Sequence, residues 1–245
     1  MSTPEAARLH IFDNPEAVAV AAAEWIAHRI AETSDVFRIA LSGGNTPRSL
    51  YRRLASPDYH DRIEWRRVEL FWGDERFVPH NDPRSNYRMA RETLLAHAPV
   101  LIDHIHPIPT EGEPDQAARK YEMLLKAIYG GESFSQSRPL FDVVLLGLGA
   151  DGHTASLFPG SRALEERTHW VCAVEGKDEP RITLTYPALQ SARAVVFLVD
   201  GEDKADVVAR VRAGDMALPA ARLKARGEVL WFVDRAAASA LAEAA

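Results

Sequence analysis

Asp142-Val143-Val144-Leu145-Leu146-Gly147-Leu148-Gly149-Ala150-Asp151-Gly152-His153-Thr154-Ala155-Ser156-Leu157-Phe158-Pro159-Gly160 decides how the rest of the chain is read. It opens on an unbroken apolar run, Val143 to Leu146, of the kind that forms a strand buried on both faces of a parallel sheet. The run breaks into glycines and then delivers an acid and an imidazole, Asp151 and His153. Ligands of open α/β sheets bind just beyond the carboxyl ends of the strands, so an Asp and a His placed there point to chemistry.

Gly147, Gly149 and Gly152 also satisfy the spacing of a dinucleotide-binding turn, and Glu175 ends the next apolar run where a ribose-binding carboxylate belongs. Pro159-Gly160 argues against that reading. A helix started at Gly152 would stop there, whereas the crossover helix of such a unit needs about ten residues or more. The glycines are read instead as letting the backbone pass close to a small substrate, and no cofactor is expected.

Outward from this stretch, short apolar runs alternate with helical patterns. Asn14-Pro15-Glu16 supplies an N-cap, a proline in the first turn and an acid for an Ala-rich helix to about Glu32. A strand at Val36 to Leu41 ends in Ser42-Gly43-Gly44-Asn45-Thr46-Pro47, where Thr46-Pro47 predicts the start of a helix through Leu54. That geometry aims unpaired N–H groups and a helix dipole at one spot, suited to a phosphate or carboxylate, although the Walker spacing is absent. Val68 to Trp72 predicts a second buried strand, followed by the charged turn Gly73-Asp74-Glu75-Arg76, and Ser85 onward reads as helix to about Ala96. Glu113 to Tyr129 is an amphipathic helix. Strands are expected at 170–174, 181–185, 194–199 and 228–233, with a short helix at 187–191, a helix opened by Asp200-Gly201-Glu202-Asp203-Lys204, and a closing helix from Arg235 to Ala245. This alternation predicts an α/β fold, a doubly wound, mostly parallel sheet with helices on both faces.

At 245 residues the chain suits one α/β domain over 1–245, because the linker-like Gly130 to Pro139 is too short and too central to mark a boundary. A net charge of -6 without a basic stripe argues against a nucleic-acid partner, while a local cluster of cations still allows an anionic ligand. No apolar run approaches the roughly 18 residues that span a bilayer, and Met1 to Ala7 lacks the pattern of a signal peptide. Cys172 is the only cysteine, which excludes an internal disulfide, fits a reducing, cytoplasmic setting and reads as a small core residue. His104 and His106 lack a third ligand, as do Asp151 and His153, so no metal site is expected.

The set Ser42-Gly43-Gly44-Asn45-Thr46-Pro47, Gly73-Asp74-Glu75-Arg76, Ser85-Asn86, Gly149 through Pro159, Arg181-Ile182-Thr183 and Gly201-Glu202-Asp203-Lys204 resembles the 6-phosphogluconolactonase family in order and spacing. The likeness runs from about Leu9 to Val233, and its most specific piece is Asp151 to Pro159. The resemblance implies hydrolysis of 6-phospho-D-glucono-1,5-lactone to 6-phosphogluconate, a step of the oxidative pentose phosphate pathway; a monomer or weak homodimer is expected. The wider superfamily includes glucosamine-6-phosphate deaminases, sugar-phosphate isomerases and sugar-binding regulators. Deaminases share Asp-Gly-His but typically follow it with a segment ending Phe-Asn-Glu-Pro. Here Ser156-Leu157-Phe158-Pro159 stands in that place, and Arg76 stands where a deaminase tends to carry Tyr. Both departures favour ester hydrolysis over amine chemistry. A non-catalytic regulator would normally need a DNA-reading domain, for which an α/β pattern starting near residue 9 leaves no room.

Opening a cyclic ester takes a deprotonated water, a stabilised oxyanion and a proton for the leaving ring oxygen. Imidazole exchanges a proton near neutral pH, so His153 is the expected general base, with Asp151 fixing its tautomer or orienting the water. Backbone N–H groups and Arg76 are expected at the oxyanion, where one donor is typically worth about 3 kcal/mol. Gly43, Gly44, Asn45 and Thr46 are expected at the phosphate and Asp74 at the substrate. Arg181 and Lys204 join the phosphate grip by resemblance as much as by charge. G-x-S-x-G is absent, so no serine nucleophile is expected.

Overall fold

The computed structural model describes residues 7–135 and 137–241. Strand β1 (Arg8–Phe12) leads into α1 (Pro15–Glu32), β2 (Phe37–Leu41) into α2 (Asn45–Leu54) and the single turn α3 (Pro57–His60), and β3 (Val68–Trp72) into the short β4 (Asp74–Arg76) and α4 (Asn86–Ala90). Strand β5 (Ile105–His106) precedes α5 (Pro114–Tyr129), and β6 (Phe141–Leu146) precedes the loop that carries His153. Then come β7 (Val171–Val174), β8 (Arg181–Leu184), α6 (Tyr186–Leu189), β9 (Ala192–Val199), α7 (Ala205–Arg212) and β10 (Glu228–Asp234).

Seven strands form a parallel sheet in the order β1-β10-β9-β6-β2-β3-β5. From β2 the chain steps outward to β3 and β5, then returns to lay β6 on the other side of β2 and continues through β9 to β10. Right-handed crossovers that run in opposite directions place their helices on opposite faces. The order therefore reverses between β2 and β6, where Ile39 and Ala40 pair with Val143 and Val144. A crevice opens at such a reversal beyond the carboxyl ends of the strands, and here those ends are Leu41 and Leu146. The apolar runs that predicted buried strands are buried: Val143, Val144, Leu145 and Leu146 join Ile26, Leu50, Phe71 and Val196 in one core cluster.

Four local features differ from the sequence reading. The turn Asp74-Glu75-Arg76 is a strand, and with β8 and β7 it makes a separate three-stranded antiparallel sheet. Strand β1, which the sequence reading does not contain, pairs with β10 at the edge of the large sheet, and the mixed polarity of Arg8-Leu9-His10-Ile11-Phe12 follows from that half-exposed position. Helix α2 begins one residue before Thr46, with Gly44 as its N-cap, so Thr46 sits inside the first turn. The closing Ala-rich helix is not formed over the described residues. Arg235 N–H donates to Phe12 O (2.8 Å) and Ala237 N–H to the Asp234 carboxylate (2.7 Å), which commits the chain to a turn. A single 3-10 turn follows at Ser239–Leu241, and the expected end of that helix, 242–245, lies outside the described residues, as does most of the Met1 to Ala7 segment. Ser85 does cap α4, accepting from Arg88 N–H at 3.1 Å, but the helix widens into a π-turn over Arg91–Leu95.

Candidate functional site

At the end of β2 the buried Tyr51 hydroxyl donates to Ser42 O (2.8 Å) and accepts from Ser42 N–H (2.9 Å). The Ser42-Gly43-Gly44 turn is thereby pinned over the first turn of α2. Gly43 also has to be glycine, because a Cβ there would lie 2.0 Å from the Asn86 Oδ1. That asparagine links the neighbouring loop. Its Oδ1 accepts from Arg76 Nη1 (2.6 Å), and its Nδ2 donates to Asp74 O (2.9 Å). The Asp74 carboxylate in turn accepts from Ser156 Oγ at 2.6 Å, tying β4 to the His153 loop.

Beneath these residues Glu75 is almost wholly buried. It accepts from Arg76 N–H (2.8 Å), Ser85 Oγ (2.9 Å), Asn86 N–H (2.7 Å) and Tyr87 N–H (2.8 Å). Burial pushes its carboxyl above the ordinary glutamate range, and the four donors only partly offset this. The carboxylate is the anchor that holds the 74–76 strand against the start of α4.

Arg76 and Arg181 are cross-strand partners on β4 and β8. Like charges placed opposite each other are unfavourable, and burial together with the charge of Arg76 holds Arg181 below the ordinary arginine range. The Nε groups of both are buried with no acceptor among the described residues. Both guanidiniums stand on the wall of one cleft, and two cations facing one space suit an anion.

On the β6 side, the Asp151 Oδ1 lies 2.5 Å from the His153 Nδ1 and also accepts the His153 backbone N–H at 3.1 Å. Partial burial works to raise the Asp151 pKa, but the hydrogen bonds from the His153 backbone and ring outweigh it and hold this carboxyl below the ordinary range. A carboxylate only accepts, so Nδ1 carries the proton and Nε2 is left as the basic nitrogen. Gly149 makes room for this pair, since a Cβ there would stand 2.0 Å from the His153 Nδ1. Ala155 holds a left-handed backbone (φ 48°), a strained choice for a residue with a side chain, on the rim of the same cleft.

The cleft encloses about 390 Å³. Gly43, Gly44, Asn45, Thr46, Asp74, Arg76, His153, Arg181 and Lys204 all line it, so nine of the ten residues singled out in the sequence meet there. Asp151 is not on the wall and reaches the cleft only through His153. Two lining residues not singled out as site residues are Asn86 and Asp200. Asp200 follows β9 as Asp74 follows β3, a charged residue at a strand's carboxyl end. It sits with Thr46, Asp203 and Lys204, and burial first, then the neighbouring Asp234 and Asp203, push its carboxyl upward. No three His, Cys, Asp or Glu side chains converge as a metal-binding set among the described residues.

A parallel sheet with an imidazole and several cations at its switch point defines a class of α/β enzymes that act on small anionic molecules. Residues 13–231 match the model of glucosamine-6-phosphate isomerases/6-phosphogluconolactonase, and the chain belongs to that family. It is similar to the 6-phosphogluconolactonase of Nostoc sp., with 40% identity over 209 residues, 84% of this chain and 85% of the relative. The 6-phosphogluconolactonase of Mycobacterium tuberculosis is 42% identical over 213 residues, 83% of this chain and 84% of the relative. Among solved structures, the 6-phosphogluconolactonase of Trypanosoma brucei superposes with a TM-score of 0.85 at 32% identity, covering 98% of this chain and all of that one.

Proposed function

We propose that the protein hydrolyses 6-phospho-D-glucono-1,5-lactone to 6-phosphogluconate. The observation that carries this reading is His153, hydrogen-bonded to Asp151, standing in one cleft with the guanidiniums of Arg76 and Arg181 and with Lys204. His153 Nε2 takes a proton from water, and the water oxygen adds to the lactone carbonyl carbon. Asp151, held ionised by its hydrogen bonds, keeps the ring in the required tautomer and steadies the imidazolium that forms. The carbonyl oxygen becomes an oxyanion held by Arg76 and backbone N–H groups. When the tetrahedral adduct collapses, the C–O bond to the ring oxygen breaks, and the imidazolium returns its proton to that oxygen.

The phosphate is gripped by Gly43, Gly44, Asn45 and Thr46 at the start of α2 together with Arg181 and Lys204, while Asp74 and Asn86 face the sugar hydroxyls. Where deaminases typically carry a segment ending Phe-Asn-Glu-Pro this chain reads Ser156-Leu157-Phe158-Pro159, and the lack of that glutamate supports ester hydrolysis over amine release. All of these residues come from one chain, in keeping with a monomer or weak homodimer. No helix among the described residues is long and apolar enough to cross a membrane. Cys172 forms no disulfide, and burial pushes its thiol up to about 12, in keeping with an inert core residue of a cytoplasmic protein.

The test is proton release from freshly made phosphogluconolactone, with the spontaneous rate subtracted, run beside an ammonia assay on glucosamine 6-phosphate. Lactone hydrolysis well above background without ammonia is expected. Ammonia release without lactonase activity would move the protein to the deaminase branch of the family.

A further inference from the structure

Phe158 lies outside the wall of the cleft, yet it touches two groups that form it. Its ring centroid is 4.9 Å from that of His153, with the planes tilted by 48°. The Arg181 guanidinium stands over the same ring, 6.0 Å from its centroid. Phe158 also borders a second, larger groove of about 620 Å³, lined also by Pro159, Val174 and Pro180. The ring therefore touches both His153 and Arg181 without itself lining the cleft they form.

The other restraints on His153 leave a gap that this ring fills. Asp151 fixes Nδ1 by one hydrogen bond, and Gly149 lets the backbone lie against the same edge of the imidazole. Neither restrains tilting of the ring about that bond. An aromatic face packed against the imidazole does. Arg181 is in a similar position: its Nε lacks an acceptor among the described residues, and Glu179 is 3.8 Å from its Nη2, too long for a strong ion pair. A π face under the guanidinium is a weak but directional hold that leaves its donors free for a ligand.

We propose that Phe158 is a positioning residue that ties the orientation of the His153 imidazole to that of the Arg181 guanidinium, and so sets the span between the reacting end of the cleft and its phosphate grip. This rests on the lactonase reading for its kinetic consequences and on the ring contacts alone for its geometric ones. The aromatic face, rather than apolar bulk, is what the position requires.

The experiment compares Phe158→Leu with Phe158→Tyr in the full-length protein. Phe158→Leu keeps most of the apolar volume, and its thermal midpoint should stay close to that of the parent. Its kcat should fall about tenfold, less than the roughly 10²-fold that a 1 Å misplacement can cause. Its KM should rise about threefold through the loosened guanidinium. Phe158→Tyr should restore both to within about twofold of the parent, since a phenol offers the same face. Parental kcat and KM in Phe158→Leu, or an equal loss in Phe158→Tyr, would overturn the proposal.

A second reading does not depend on turnover. The His153 ring-proton resonances, assigned by their loss in His153→Ala, should carry a ring-current displacement in the parent that Phe158→Leu removes. Unchanged resonances would overturn the proposal. A parent protein with no lactonase activity but with this displacement would instead overturn the functional reading and leave the clamp standing.

Discussion

Lys204 stands on the turn after Gly201 with Asp203 at 3.2 Å and Asp200 beside it, a cation held at the cleft rather than spread into solvent. Lys204→Ala should raise KM by roughly tenfold or more, the worth of one charge-assisted hydrogen bond, with kcat changed far less. Steady-state kinetics on the lactone give both numbers, and an unchanged KM would place the phosphate elsewhere. Gly149→Ala makes a sharper demand, because the new methyl would fall on the imidazole. Its kcat should drop by about 10²-fold while the fold is kept, measured by kinetics beside a circular dichroism melt. That His153 and Arg76 line the cleft was legible because each is a charged or titratable residue just past an apolar run, while Lys204 was singled out by resemblance as much as by charge. Gly149 was legible as a point of close approach, and it does line the cleft, but the ring that fills its space is four residues further along the same loop. Asn86 was visible only as part of a family pattern. An asparagine carries no periodicity, and its hold on Arg76 and Asp74 exists only once β4 and α4 are brought together.

Strand β4 is the element on which the site's electrostatics depend, and the sequence disguises it. Three consecutive charged residues after a buried strand look like solvated loop. The structure instead turns Glu75 inward to four donors and leaves Asp74 and Arg76 facing the cleft. Glu75→Gln would set an amide N–H₂ among donors it cannot accept from. Each buried donor left without a partner costs about 1–3 kcal/mol, so the urea midpoint should fall and the activity with it as Arg76 loses its support. The pH dependence has a definite sign. The folded-state pKa of Glu75 lies above its ordinary value of 4.5, so the folded protein holds this proton more tightly than the unfolded chain does. Its contribution to stability is fully present below about 4.5 and is lost as pH rises through the folded value. Unfolding free energies of the parent minus those of Glu75→Gln, followed from pH 4 upward, should decline over that window and then level.

At the scale of the molecule, the parallel sheet was legible because strands buried on both faces are written as uninterrupted apolar runs, and the run from Val143 to Leu146 sits beside β2 at the reversal of strand order. Membership of the small antiparallel sheet was not. A four-residue strand such as β7 or β8 carries no mark of which sheet it joins, and only the register of Arg76 with Arg181 reveals why it matters. The closing helix failed for a similar reason. Alanine propensity was outweighed by the Asp234 carboxylate, which accepts from Ala237 three residues on and from the distant Gly201, and by the hydrogen bond of Arg235 to the distant Phe12. On the proposed reading a phosphate grip on the β2 side is joined to an imidazole on the β6 side, so binding at one end would serve the chemistry at the other. Phosphate-free gluconolactone should therefore lose turnover as well as affinity, and kcat equal to that of the phosphorylated lactone would separate the two ends. The most direct measurement is the rate of phosphogluconolactone hydrolysis by His153→Ala beside the parent, with background subtracted and folding checked. A loss of about 10²- to 10⁴-fold in kcat is predicted for removal of the general base. Parental turnover in a protein lacking that ring would contradict the whole assignment.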